Sequence, residues 1–431
     1  MEIDSGCKVI FSNTVHIVAN GGIMFPMNST TIPEETRLVL RAQINKAFTP
    51  SAPINGPDLF AGRTREIDRV VQAIFQRGQH AIIFGERGVG KTSLANIIYD
   101  LLVLSGQHAF QVAKYTCGAG ADFAGIWRAI FKQLKITRHN QKQLTLDALL
   151  PDSVGSEDIR ETFQSADSPS IIVIDEVDRI AATETAVLLA DTVKTLSDNS
   201  VNATLVLVGV ADSVDQLISE HQSIERALIQ IHMPRMSEDE LSQIVDKGLA
   251  TTQITISDSL KQRIANLSQG LPSCTHLLAR HAALAAVDRS SFAIGEQDLS
   301  QSIREAVMNQ QQTIINAYEK ATHSPRENLY KQVLLACALA QTNELGYFSA
   351  VDVRIPMRTI TGKEYEIPAF SQHLNDFCED ARGPILQKKG ERRRFRFRFI
   401  NPLIEQFVVL KGLADGMISE EQISWSASNA T

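Results

Sequence analysis

Gly85-Glu86-Arg87-Gly88-Val89-Gly90-Lys91-Thr92 decides the fold, because it fits the spacing G-x-x-x-x-G-K-[ST] and stands between two differently patterned segments. Before it, His80 to Phe84 is a short apolar run that reads as a strand, and after it Ser93 to Leu104 has helical periodicity. Strand, glycine-rich loop and helix in that order make a phosphate cradle. The glycines let successive backbone N–H groups turn inward, and the helix N-terminus adds positive partial charge. In such a loop Lys91 neutralises the β- and γ-phosphates, Ser93 lies beside the nucleotide, and the Thr92 hydroxyl ligates magnesium.

Outward from this loop, Phe110–Tyr115 reads as a further strand, and Ile171–Ile174 and Thr204–Val208 are further apolar runs. The later runs are apolar at consecutive positions, which suits strands buried on both faces by crossover helices, so a parallel, doubly wound α/β sheet is expected. Asp175 and Glu176 follow the Ile171–Ile174 run at the carboxyl edge of that sheet. There Asp175 is positioned to hold magnesium through water, and Glu176 is expected to orient or deprotonate the water that attacks the γ-phosphate.

The 431 residues exceed one ordinary core, and 44% apolar with 21% charged residues is a globular composition. We divide the chain into an N-terminal arm and linker (1–56), an α/β core (57–235), a helical lid (236–322), a three-helix unit with a hairpin (323–414) and a polar tail (415–431). The lid opens at the capping box Ser237–Glu240 and the next unit at Ser324-Pro325-Arg326-Glu327. Five scattered cysteines without a CxxC pair and the absence of a long apolar run point to a reduced, cytoplasmic protein with no membrane span.

The net charge of −7 hides a local excess of the opposite sign. Between Lys388 and Arg398 there are seven basic residues and one acid. Lys388-Lys389-Gly390-Glu391 reads as a turn, after which Arg394, Arg396 and Arg398 alternate with Phe395, Phe397 and Phe399, so period two sends arginines and phenylalanines to opposite faces. The phenylalanines are expected to pack on Pro325–Ala340 and Pro368–Phe377, which makes the unit a winged helix. The arginine face with Lys388 and Lys389 suits double-stranded DNA through its phosphates. Such a ribbon also suits a guarded sheet edge or an acidic protein partner.

From about Leu59 to Leu413 the order of parts resembles the AAA+ ATPases of the origin-recognition initiator group and their bacterial relatives. On that resemblance Phe60-Ala61-Gly62-Arg63 is the turn flanking adenine, with Gly62 and Arg63 at the nucleotide. Asp212, in Leu207–Ser213, falls where the family has the sensor 1 asparagine and so departs from it. Ser223-Ile224-Glu225-Arg226 resembles the segment that lends an arginine finger to a neighbouring subunit, which makes Arg226 a candidate acting in trans and implies an oligomer. The sensor 2 position carries Ser273-Cys274, leaving Arg280 or His276 to substitute.

Gly270-Leu271-Pro272 resembles the adenine-contacting motif of the STAND signalling ATPases, with Pro272 at the base. The expectation is an ATPase that uses ATP/ADP and Mg2+, whose nucleotide state controls oligomerisation and DNA binding. The alternative is a STAND-like or phage-defence-associated ATPase that switches an effector protein.

Overall fold

The structure is a computed structural model that describes residues 18–19, 22–23, 32–104, 110–137, 143–211, 222–324, 329–343, 345–391 and 394–423. A two-residue pair, β1 (Val18–Ala19) and β2 (Gly22–Ile23), precedes helix α1 (Glu34–Ala47). Sequence division left residues 1–56 as arm and linker. Instead Leu40, Ile44, Ala47 and Phe48 are buried in one core with the lid helices, and Gly248 leaves the space for the Phe48 ring, since a Cβ there would lie 2.3 Å from Phe48 Cζ.

The α/β core runs α2 (Thr64–Phe75), β3 (His80–Gly85), α3 (Lys91–Leu104), β4 (Gln111–Thr116), α4 (Phe123–Phe131), the small hairpin β5 (Lys135–Thr137) and β6 (Gln143–Thr145), then α5 (Ser156–Gln164). It continues through β7 (Ser170–Asp175), α6 (Thr183–Asp198), β8 (Ala203–Val210) and β9 (Leu228–His232). Five of these strands form one sheet in the order β4-β7-β8-β3-β9, with every pair parallel.

The consecutive apolar residues of β3, β7 and β8 divide between the two faces. Ile82, Ile172, Ile174, Leu205 and Leu207 meet α4, α5 and α6, while Ala81, Ile83, Ile171, Val173, Val206 and Val208 meet α2 and α3. Double burial is what the unbroken apolar runs require.

The lid consists of α7 (Glu238–Ala250), α8 (Asp258–Ser268), α9 (Pro272–Asp288), α10 (Glu296–Met308) and α11 (Gln312–Thr322). Its capping box is formed: Ser237 Oγ accepts from the Glu240 N–H at 3.3 Å, and Glu240 Oε2 accepts from the Ser237 N–H at 3.0 Å.

The C-terminal unit runs α12 (Tyr330–Ala338), β10 (Phe348–Ser349), α13 (Arg354–Thr361), α14 (Ile367–Asp376), β11 (Leu386–Lys389), β12 (Arg396–Phe399) and α15 (Pro402–Ala414). Its antiparallel sheet has the order β10-β12-β11. Strand β10 had no signal of its own in the sequence. The capping segment expected at Pro325–Glu327 lies outside the described residues. This unit shares one continuous core with the lid, so the apolar packing does not divide at residue 323.

Candidate nucleotide site

The phosphate loop leaves β3 and enters α3 as its sequence requires. Gly85, Gly88 and Gly90 have φ of +146°, +87° and +99°, conformations that favour glycine. At Gly85 a side chain is also excluded by space, since a Cβ would fall 2.4 Å from the Met233 carbonyl oxygen. The Lys91 ammonium is folded onto the loop, donating to the Gly85 oxygen at 3.0 Å and the Glu86 oxygen at 2.6 Å. Burial pulls its pKa down to about 8, against the opposing pull of Asp178, Asp175 and Glu86.

Asp175 ends β7 and is 3% exposed. Its Oδ1 accepts from the Thr92 hydroxyl at 3.4 Å and from the Glu176 N–H at 2.9 Å. Two oxygen donors therefore converge from α3 and β7, and among the described residues no cluster of three or more His, Cys, Asp or Glu surrounds them. A hard cation that keeps waters and takes further oxygens from phosphate, as magnesium does, fits this sparse pair. Glu176 sits in the left-handed region at φ +56°, and its carboxylate is held by Arg179 at 2.7 Å.

The turn at Gly62-Arg63 is pinned to the lid. Arg63 N–H donates to Glu240 Oε1 at 2.8 Å, and a Cβ at Gly62 would lie 2.5 Å from that same oxygen. Expected as a nucleotide contact, the Arg63 guanidinium is instead buried in protein, donating to the Val89 oxygen at 3.1 Å and the Pro234 oxygen at 2.5 Å. It braces the loop against the hinge where β9 gives way to the lid.

Leu271 is buried in the core beneath the loop, and Pro272 begins α9 with Ser273 Oγ 3.6 Å from the Cβ position of Gly88. The Gly-Leu-Pro segment thus faces the phosphate loop. Arg280 lies further along α9, where its Nε donates to Asn45 Oδ1 of α1 at 2.8 Å. His276 is buried, with its ring edge-on to Phe48 at 5.9 Å. Arg226 is exposed, and Asp212 lies outside the described residues.

Two side chains at the site escaped sequence reasoning. Arg235, just past the hinge, donates through Nε to Glu86 Oε2 at 2.8 Å, and through Nη1 and Nη2 to Glu405 at 3.1 and 2.7 Å. Glu86 belongs to the phosphate loop and Glu405 to α15, so one guanidinium joins loop, hinge and C-terminal unit. The two carboxylates raise the pKa of Arg235 against its burial, while burial raises that of Glu405 against the pull of Arg235. Lys114, on β4, reaches Asp175 Oδ2 at 3.5 Å. A charge inside the run Gln111–Thr116 was the available signal for Lys114, and an arginine between the buried Met233 and Met236 for Arg235.

On the hairpin, Lys388, Lys389, Arg394 and Arg396 are exposed, whereas Phe397 and Phe399 are buried. Arg398 departs from the expected outer face. It stacks over Tyr347 at 4.6 Å and donates to the Leu345 oxygen at 3.0 Å, because the β10 edge and the turn before it cover that end of β12.

A parallel sheet with this loop and this pair of acids defines a P-loop NTPase of the AAA+ type. Residues 53–357 match the family described as Novel STAND NTPase 1, and the chain belongs to that family. No curated protein matches the chain. Among solved structures, it is similar to Cdc6p from Pyrobaculum aerophilum, at 15% identity over 87% of this chain and 99% of that one, with a TM-score of 0.45. It is also similar to the Aeropyrum pernix ORC1 protein in complex with DNA, at 14% identity over 84% and 96% with a TM-score of 0.46. The Thermotoga maritima RuvB Holliday junction branch migration motor is similar at 14% identity over 85% and 98%, with a TM-score of 0.41.

Proposed function

We propose that this chain is a nucleotide-operated switch that binds ATP with Mg2+, hydrolyses it, and passes the change to a C-terminal winged helix. The observation that carries this reading is the Glu86–Arg235–Glu405 bridge, which fixes α15 to the phosphate loop itself. With the C-terminal unit docked, Arg235 is shared between two carboxylates. A triphosphate adds more negative charge beside Glu86 than a diphosphate does, so the docked state disfavours ATP relative to ADP. By linkage, ATP then loosens the docking by the same factor.

In hydrolysis, Lys91 and the loop N–H groups hold the phosphates, Thr92 and Asp175 hold magnesium, and Glu176 activates water. Glu176 must first leave Arg179. Gly62, Ser93 and Pro272 line the adenosine side, and Arg226 acts on the phosphate of a neighbouring copy in an oligomer.

The output we favour is double-stranded DNA, gripped by Lys388, Lys389, Arg394 and Arg396. Helix α14 has no Lys or Arg, so phosphate contacts from the wing would dominate and binding would depend little on sequence. Membership in a STAND family supports a second reading, in which the same basic face docks an acidic effector protein.

The test is the ratio of ATP to ADP affinity in Glu405→Gln. Removing one carboxylate from Arg235 should raise that ratio several-fold, and an unchanged ratio in a folded variant would refute the coupling. Gel shifts with ATP, ADP and no nucleotide then separate DNA from a protein effector.

A further inference from the structure

One polar chain runs from the linker before α2 to the Asp175 carboxylate. Asn55 Oδ1 accepts from Asn96 Nδ2 at 2.7 Å, and Asn96 Oδ1 accepts from the Lys114 ammonium. Lys114 Nζ lies 3.5 Å from Asp175 Oδ2, while Thr92 occupies Oδ1. Linker, α3, β4 and β7 each supply a member.

The placement of Lys114 follows from the pleat. It shares the α3-facing side of β4 with Val112, and its Cα pairs with that of Val173, two residues before Asp175 on the same face. The stem therefore runs along apolar strand surface toward the carboxyl edge, as long cationic side chains do, and delivers the charge beside Asp175. A cavity of about 240 Å³, lined by Asn55, Asn96, Lys114, Val112 and Val173 among others, borders it. The side chain is 33% exposed while that of Asp175 is 4% exposed, so the carboxylate's charge is met chiefly by groups of the protein.

We propose that Lys114 is a resident cation of the nucleotide site. It holds Asp175 in place and supplies positive charge where magnesium also acts, so ADP binds with little dependence on the metal. This rests on the reading that the Gly85–Thr92 loop binds nucleotide. Two cations sharing one carboxylate repel each other, so the fixed one lowers both the affinity for the mobile one and the mobile one's effect on nucleotide binding.

The experiment measures ADP affinity by calorimetry in Mg2+ and in EDTA, for wild type, Lys114→Met and Lys114→Arg. The methionine keeps an unbranched stem and removes the charge; the arginine keeps the charge. Wild type and Lys114→Arg should change by less than about threefold on metal removal, and Lys114→Met should weaken by about tenfold. As a second readout, Mn2+ bound to the ADP complex, followed by electron paramagnetic resonance, should bind more tightly in Lys114→Met. Equal metal dependence in wild type and Lys114→Met, with ADP bound by both, overturns the role of Lys114 and leaves the nucleotide site standing. Failure of wild type to bind ADP under any condition overturns the site and this inference together.

Discussion

Gly346 of the C-terminal unit sits so close to Glu86 of the phosphate loop that a Cβ on it would lie 2.2 Å from Glu86 Oε1. That oxygen is buried without a hydrogen-bond partner among the described residues, and Gly346 has φ +75°. Contact and conformation both select glycine. Gly346→Ala should therefore loosen the unit from the loop at a cost of about 1–3 kcal/mol. Hydrogen exchange at Tyr347–Ser349 should accelerate, and ATP should gain affinity relative to ADP; unchanged exchange would show that the contact yields without strain.

At the site itself, Lys91→Ala should abolish nucleotide binding or weaken it severely, while Glu176→Gln should keep ATP bound and lose turnover, because the amide cannot accept a proton. Single-turnover hydrolysis checks both, and wild-type rates in both variants would make the site assignment wrong. Arg226→Ala should bind ATP and hydrolyse it poorly. Mixed with Glu176→Gln it should regain activity at interfaces that pair an intact arginine with an intact acid.

Replacing Arg394 and Arg396 with alanine should weaken DNA binding alike across sequences and reduce the salt slope by roughly 0.9 per lost contact. Arg398→Ala should behave differently. Because its guanidinium stacks on Tyr347 and holds the Leu345 oxygen, its loss should lower the melting temperature. Wild-type DNA affinity and salt dependence in the double variant would exclude Arg394 and Arg396 as DNA contacts.

Burial pushes the pKa of His276 down to about 4 from 6.5. The unfolded chain therefore binds the proton across that window while the folded chain does not, so stability falls as pH drops from about 6.5 toward 4. His80, also shifted to about 4, adds to the same limb. His276 Nδ1 has no hydrogen-bond partner among the described residues, so His276→Leu should fold and show a shallower acid loss. Urea midpoints at pH 7 and 4.5 measure it, and an unchanged difference would place the acid sensitivity elsewhere.

What the sequence made legible was local. The phosphate loop, the acids after Ile174, the doubly buried strands and the Ser237 capping box are each written within a few neighbouring residues. Arg235 was not legible, because its partners Glu86 and Glu405 lie 149 and 170 residues away and no short spacing encodes them. Arg398 was misplaced for a similar reason. Alternation gives the side of β12 but not what covers it, and the cover comes from the turn before β10. Helix α1 was missed because its apolar positions gain their meaning only from α7 and α9.

The burial of α1 sets a mechanical limit on the cleft. Phe48 is locked into the lid beside Gly248, whereas Ile54 and Asn55 are moored to α3 through Ser93 and Asn96. The few residues between the two moorings are a leash, and fully extended they span roughly 20 Å. A swing of the lid could not outrun that length without tearing one anchorage loose, and any such excursion would tug on the helix that carries Thr92.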